Sequence, residues 1–158
     1  MMRMRRLTDY ASVLLSHLAL DRQNSLHSAR DLAAAAHLPI PTVNKLLKKL
    51  SRAGVLASHR GTNGGYSLAR EPNEISVAQV IAALEGPISV TECGTEIPGQ
   101  CGLESLCPVR SSWQNINRAI RGALEGLSIS DMIRPPPQGG TLSALSRRGE
   151  VSVAGGAL

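Results

Sequence analysis

The chain has 158 residues, 42% of them hydrophobic and 2% aromatic, with a net charge of +5, which is enough for one modest domain with an appended helix and tail. Tyr10, Tyr66 and Trp113 are its only aromatics, which argues against readers that stack single-stranded bases on aromatic platforms. Residues 1–70 carry eight Arg and three Lys against three Asp, while residues 71–158 carry six Arg against eight Glu and one Asp, so the first half is the expected contact for a polyanion such as a phosphate backbone.

The opening MMRMRRLTDYASVLLSHLALD has the basic start of a signal peptide. Thr8, Asp9 and His17 interrupt its apolar stretch, however, and no small-residue cleavage site follows. Leu7, Ala11, Leu14, Leu15, Leu18 and Ala19 instead have helical spacing, which predicts a first helix over about 8–19. No run approaches transmembrane length. The expectation is a cytoplasmic protein with reduced thiols and no membrane partner.

Ser28 opens a second, short helix, SARDLAAAAHL, with Asp31 three residues on as an Asp variant of the capping box. Pro39 and Pro41 break the chain and start a third helix, because proline is tolerated in a first turn. Its apolar face is Val43, Leu46, Leu47 and Leu50, and Gly54 stops it. The opposite face carries Thr42, Asn44, Lys45, Lys48, Lys49 and Arg52. Two short helices joined by a tight turn, the second cationic outside, predict a helix-turn-helix. The β-like stretches VLASHR and GYSLAR flank a glycine-rich turn at 61–65, which predicts a hairpin wing. Ser76 then caps a fourth helix, SVAQVIAALEG, ending at Gly86-Pro87.

The three cysteines, Cys93, Cys101 and Cys107, all fall in the next segment, ECGTEIPGQCGLESLCPVR. An odd number of thiols cannot pair off within one chain. Thiolates gathered on an irregular loop suit a soft metal or an iron–sulfur cluster, and zinc with a fourth group is the competing occupant. Beyond it, Val109, Trp113, Ile116, Ile120, Ala123 and Leu127 recur at three- and four-residue steps. They predict a long amphipathic helix over about 108–125 that pairs with a second chain. From Pro135 onward the composition lacks periodicity and predicts a disordered tail. The expected fold class is mostly α: a winged helix-turn-helix with a small β-hairpin wing and a long C-terminal dimerisation helix. The expected units are 1–86 for DNA binding, 87–107 for the cysteine loop, 108–132 for dimerisation and 133–158 for the tail.

The expected partners are a double-stranded DNA operator and a second copy of the chain, with no small-molecule substrate and no enzymatic constellation. Ser28 and Pro41 open the two helices of the reading unit. Thr42, Asn44 and Lys45 lie near the helix end that reaches base edges, where Asn pairs with adenine and Lys donates to guanine. Lys48, Lys49 and Arg52 lie further along and are expected at phosphates. His59 and Arg60 begin the wing turn, from which an arginine can enter a narrow minor groove.

The segments LTDYA at 7–11, SARDLA at 28–33, PTVNKLLKKL at 41–50, AGVLASHRG at 53–61, GGYSLAR at 64–70 and ISVAQVIAALEG at 75–86 resemble the Rrf2 family of winged-helix regulators. With the three-cysteine loop and WQNINRAI at 113–120, the likeness covers roughly residues 5–132. TEC, CPVR and LEGLSISDM are most similar to the subgroup that regulates the SUF iron–sulfur assembly operon. The resemblance implies a dimeric regulator whose DNA binding follows the state of an iron–sulfur cluster, two-iron or four-iron. Where some members have a histidine three residues after the third cysteine, this chain has Arg110, which stays protonated and cannot ligate. Asp9 matches the aspartate of the family's nitric oxide sensors, whose pattern implies a fourth ligand supplied across the dimer. Glu104, solvent or a small thiol are the alternatives.

Overall fold

The computed structural model describes residues 5–21, 26–61, 64–91, 101–102 and 105–134. Cys93, Glu104 and the tail expected from Pro135 lie outside the described residues.

Helix α1 (Arg6–Leu20) buries Ala11, Leu14, Leu15 and Leu18, the i, i+3, i+4, i+7 stripe that its sequence spells out. Helix α2 (Ala29–Ala35) starts at Ser28, whose Oγ accepts from the Asp31 N–H at 3.2 Å and donates to the Asp31 carboxylate at 2.7 Å. Helix α3 (Ile40–Arg52) has Pro41 in its first turn and buries Val43, Leu46, Leu47 and Leu50 completely.

Strands β1 (Leu56–His59) and β2 (Gly65–Leu68) pair antiparallel, with Leu56 opposite Leu68 and His59 opposite Gly65. A third piece of backbone joins them. His27 exchanges N–H···O bonds of 3.0 and 2.9 Å with Tyr66, tying the lead-in to α2 onto the wing. This crossing explains one glycine: a Cβ on Gly65 would sit 2.7 Å from the His27 carbonyl oxygen.

Helix α4 (Val77–Glu85) has a complete capping box between Ser76 and Gln79. The expected dimerisation stretch 108–132 is divided in two. Helix α5 (Arg110–Glu125) ends at Gly126, and a five-residue helix α6 (Ile129–Ile133) follows, capped by Ser128 with Asp131. Ile129 is 1% exposed and joins the core formed by α1–α4 and the wing base. Three backbone bonds clip this turn to the start of α4: Val77 N–H to Leu127 O at 2.8 Å, Ile129 N–H to Ile75 O at 3.0 Å, and Ser130 N–H to Pro72 O at 3.2 Å. Among the described residues, no helix is long and apolar enough to cross a membrane.

Candidate nucleic-acid interface and cysteine loop

The buried face of α3 fixes the direction of its outer face. With Val43, Leu46, Leu47 and Leu50 locked in the core, Asn44, Lys45, Lys48 and Arg52 are all exposed, and Thr42 is half-buried at the helix start. Pro41 is exposed beside them, and Ser28 is half-buried at the N-terminus of α2. Lys49 differs from its neighbours: its Nζ donates to the Leu84 carbonyl at 2.9 Å, tying α3 to the last turn of α4. That bond holds the side chain against the domain, whereas Lys45 and Lys48 project from it.

The wing presents His59 and Arg60, both exposed. His59 Nε2 lies 3.2 Å from Ser67 Oγ on the neighbouring strand, so the imidazole is steadied by the hairpin while Arg60 begins the turn. Cationic side chains thus project from α3 and from the wing tip, as charge-assisted phosphate contacts require.

A second polar node lies at the same end of α4. Glu85 Oε1 accepts from Thr8 Oγ1 at 2.6 Å and from the Arg5 N–H at 2.8 Å, and Oε2 is 3.3 Å from Arg5 Nε. The Thr8 hydroxyl is the main cause holding the Glu85 carboxyl below the usual carboxylate range. Burial opposes it, and the Arg5 N–H and the charges of Arg5 and Lys49 add to it. Glu85 therefore joins the start of α1 to the residue that precedes the cysteine loop.

Within that loop, Cys101 and Cys107 are free and half-buried on irregular backbone. The Arg110 N–H lies 3.4 Å from the Cys107 carbonyl, which fastens the end of the loop to the first turn of α5. Asp9 is exposed on α1. Among the described residues no three His, Cys, Asp or Glu side chains of one chain gather into a cation-holding group. Asp9, Cys101 and Cys107 are therefore not brought together within a single copy.

The expected stripe on α5 stays largely uncovered. Val109 is 50% and Ile116 43% exposed, with Trp113 and Ile120 only half-buried. The one buried residue of α5 is polar: Asn117, whose amide bonds the backbone and side chain of the chain leading into the cysteine loop. Sequence reasoning passed over it because an Asn amid Gln114, Asn115 and Arg118 reads as part of a solvated face.

Comparison with known proteins accords with this architecture. The global cysteine regulator CymR of B. subtilis superposes with a TM-score of 0.65 at 28% identity, covering 84% of this chain and 97% of that one. The IscR structure from T. potens gives a TM-score of 0.61 at 26% identity, over 84% of this chain and 86% of its own. The transcriptional regulator NsrR of Shouchella clausii is 28% identical over 126 residues, which is 80% of this chain and 85% of that protein. These relatives are helix-turn-helix transcription regulators rather than enzymes. The sequence profile described as Rrf2, iron-dependent transcriptional regulator, matches residues 4–135, and the chain belongs to the Rrf2 family of transcription regulators.

Proposed function

We propose that this chain is a homodimeric, operator-binding regulator whose three-cysteine loop holds an iron–sulfur cluster, and that the cluster's state sets its affinity for duplex DNA. The observation that carries the reading is the pairing of an exposed cationic face on α3 with two free thiols in the loop that precedes α5. The donor set fits the group: Cys101 and Cys107 are half-buried, unbridged and on backbone without regular pairing, and Cys93 supplies a third soft ligand. When bound, the cluster supplies an iron centre responsive to oxygen, redox state or nitric oxide.

The chain's own residues do the rest. Thr42, Asn44 and Lys45 read base edges, Lys48 and Arg52 neutralise phosphates, and Arg60 at the wing enters a narrow minor groove. Lys49 serves first to hold α3 against α4. The uncovered stripe of Trp113, Ile116 and Ile120 pairs two copies, as two half-sites on an operator require. Asp9, exposed on α1, is the proposed fourth ligand and acts across that dimer. The segments TEC, CPVR and LEGLSISDM point to iron–sulfur assembly genes as the target. A reader of operators works where the DNA lies, in the reducing cytoplasm.

Protein purified without oxygen should be coloured, contain acid-labile sulfide and shift an operator duplex. Stoichiometric zinc without sulfide, after attempted reconstitution, would make the loop a structural zinc site and overturn the sensing reading. Asp9→Ala should change the cluster's spectrum and shorten its lifetime with helix content intact. Mixed dimers of an Asp9→Ala chain with a chain lacking all three cysteines should hold no intact site if Asp9 ligates across the dimer, and one if it ligates internally.

A further inference from the structure

We infer that Ile40 is a specificity-determining residue of the reading helix, which packs against the C5-methyl group of a thymine in the bound duplex. The inference rests on the operator-binding reading above and adds an apolar contact to its polar ones. Ile40 is the first residue of α3, and it is 46% exposed. Spacing of three and seven would put it on the stripe of Val43 and Leu47, both of which are completely buried. The first turn of α3 therefore reaches past the core and carries an apolar side chain out with it. Helix entry does not need that side chain, because Leu38, just before the Pro39 cap, already packs against the core in the position of a hydrophobic staple.

Scattered apolar residues on a surface are ordinary; the neighbours of this one set it apart. Asn44 follows it by four residues, one turn on and about 40° around the axis, so their Cβ atoms are about 5–6 Å apart. Thr42 and Lys45 lie on the same end of the helix. The turn that presents them is held by backbone, with Leu38 N–H donating to Ala33 O at 3.0 Å and Val43 N–H to Pro39 O at 3.1 Å. Ile40 is thus fixed at the helix end that enters a major groove. In that groove thymine is the base that presents a methyl group, and the other three present polar edges. Contact between the two removes apolar surface of both from water. If Asn44 pairs with an adenine, the Cβ spacing places this methyl within about two base pairs of it, at about 3.4 Å per pair.

The test uses the full-length chain prepared without oxygen. A duplex that it enriches from a random-sequence pool is resynthesised with each thymine singly replaced by deoxyuridine, which pairs alike and lacks only the methyl. At one thymine per half-site, close to the adenine that Asn44→Ala ceases to distinguish, the replacement should weaken wild-type binding about fourfold, the contribution of one buried methyl. Ile40→Ala should bind the thymine and deoxyuridine duplexes alike. Alanine is the stronger helix former, so the variant keeps its fold. Its salt slope should match wild type, because no phosphate contact is lost. Wild-type protein indifferent to deoxyuridine at every position, or an Ile40→Ala protein that keeps the wild-type preference, would overturn the inference and leave the operator reading intact. A pool from which wild-type protein enriches no sequence would overturn both.

Discussion

The head, comprising α1–α4 and the wing, and the arm, comprising the cysteine loop and α5, are stabilised in opposite ways. The head buries Leu14, Leu15, Val43, Leu46, Leu47 and Leu50 completely within one chain. Over its sixteen residues, α5 buries only Asn117 and leaves its apolar stripe half in water. The head is thus packed within a single copy, whereas α5 keeps an uncovered apolar stripe that the proposed second copy would complete. Under the proposed reading that division is useful, because the reading unit would keep its shape while the arm stays dependent on its surroundings.

Substitutions in each region can break this comparison. The largest effect should come from Leu47→Ala, which opens a cavity in the head and should cost about 2–5 kcal/mol of unfolding free energy in denaturant titrations. On the arm, Ile120→Glu should leave that free energy per chain nearly unchanged but give a monomer by light scattering. Its operator affinity should fall about a hundredfold or more as paired half-site binding is lost. A dimeric Ile120→Glu protein would show that the arm is completed some other way.

Smaller effects sharpen the picture of the reading face. Asn44→Ala should cost about 1–3 kcal/mol on the cognate operator and relax base preference if its contact is bidentate. Lys48→Ala should weaken cognate and random duplexes alike and lower the salt slope by about one. Unchanged binding in both would remove α3 from the interface.

The smallest effect concerns the node that joins α1 to the end of α4. Thr8→Val should cost about 1 kcal/mol at neutral pH by removing the hydroxyl that donates to Glu85. Because the Glu85 carboxyl is held low in the folded state, its stabilisation is present above the ordinary carboxylate pKa and is lost as pH falls through the lowered value. Glu85→Gln should therefore flatten the acid limb of a stability–pH curve and leave the limb above pH 7 unaltered.

Most of the head was legible because its signals are local. Ser28 and Ser76 cap the helices they were expected to cap, and the leucines of α3 have the spacing that buries them. Three features were not legible, each for a tertiary reason. The bridge from His27 to Tyr66 depends on two distant segments meeting, which no periodicity encodes. Helix α6 is too short for an apolar repeat, although Ser128 and Asp131 have capping spacing. Lys49 belongs by spacing to the outer face, and its internal partner is a carbonyl on another helix. At the cysteine loop, the sequence supplies three thiols, but only Cys101 and Cys107 fall among the described residues, and spacing alone does not say how the three are arranged.

The clip at Leu127–Ser130 gives α5 a mechanical character. Its C-terminal end is pinned to the start of α4 by the bonds at Val77, Ile129 and Ser130, and its other end begins at the cysteine loop. A sixteen-residue helix is roughly 24 Å long at 1.5 Å per residue, so a pivot of about 5° at the pin displaces the far end by about 2 Å. The reverse holds equally: a shift of that size imposed where Cys107 sits reaches the clip as a torque on the turn that leads into α4. At the other end of α4, Lys49 from α3 grips the Leu84 carbonyl in its last turn. The two ends of α4 are thus held by different partners, its start by the turn after α5 and its last turn by α3.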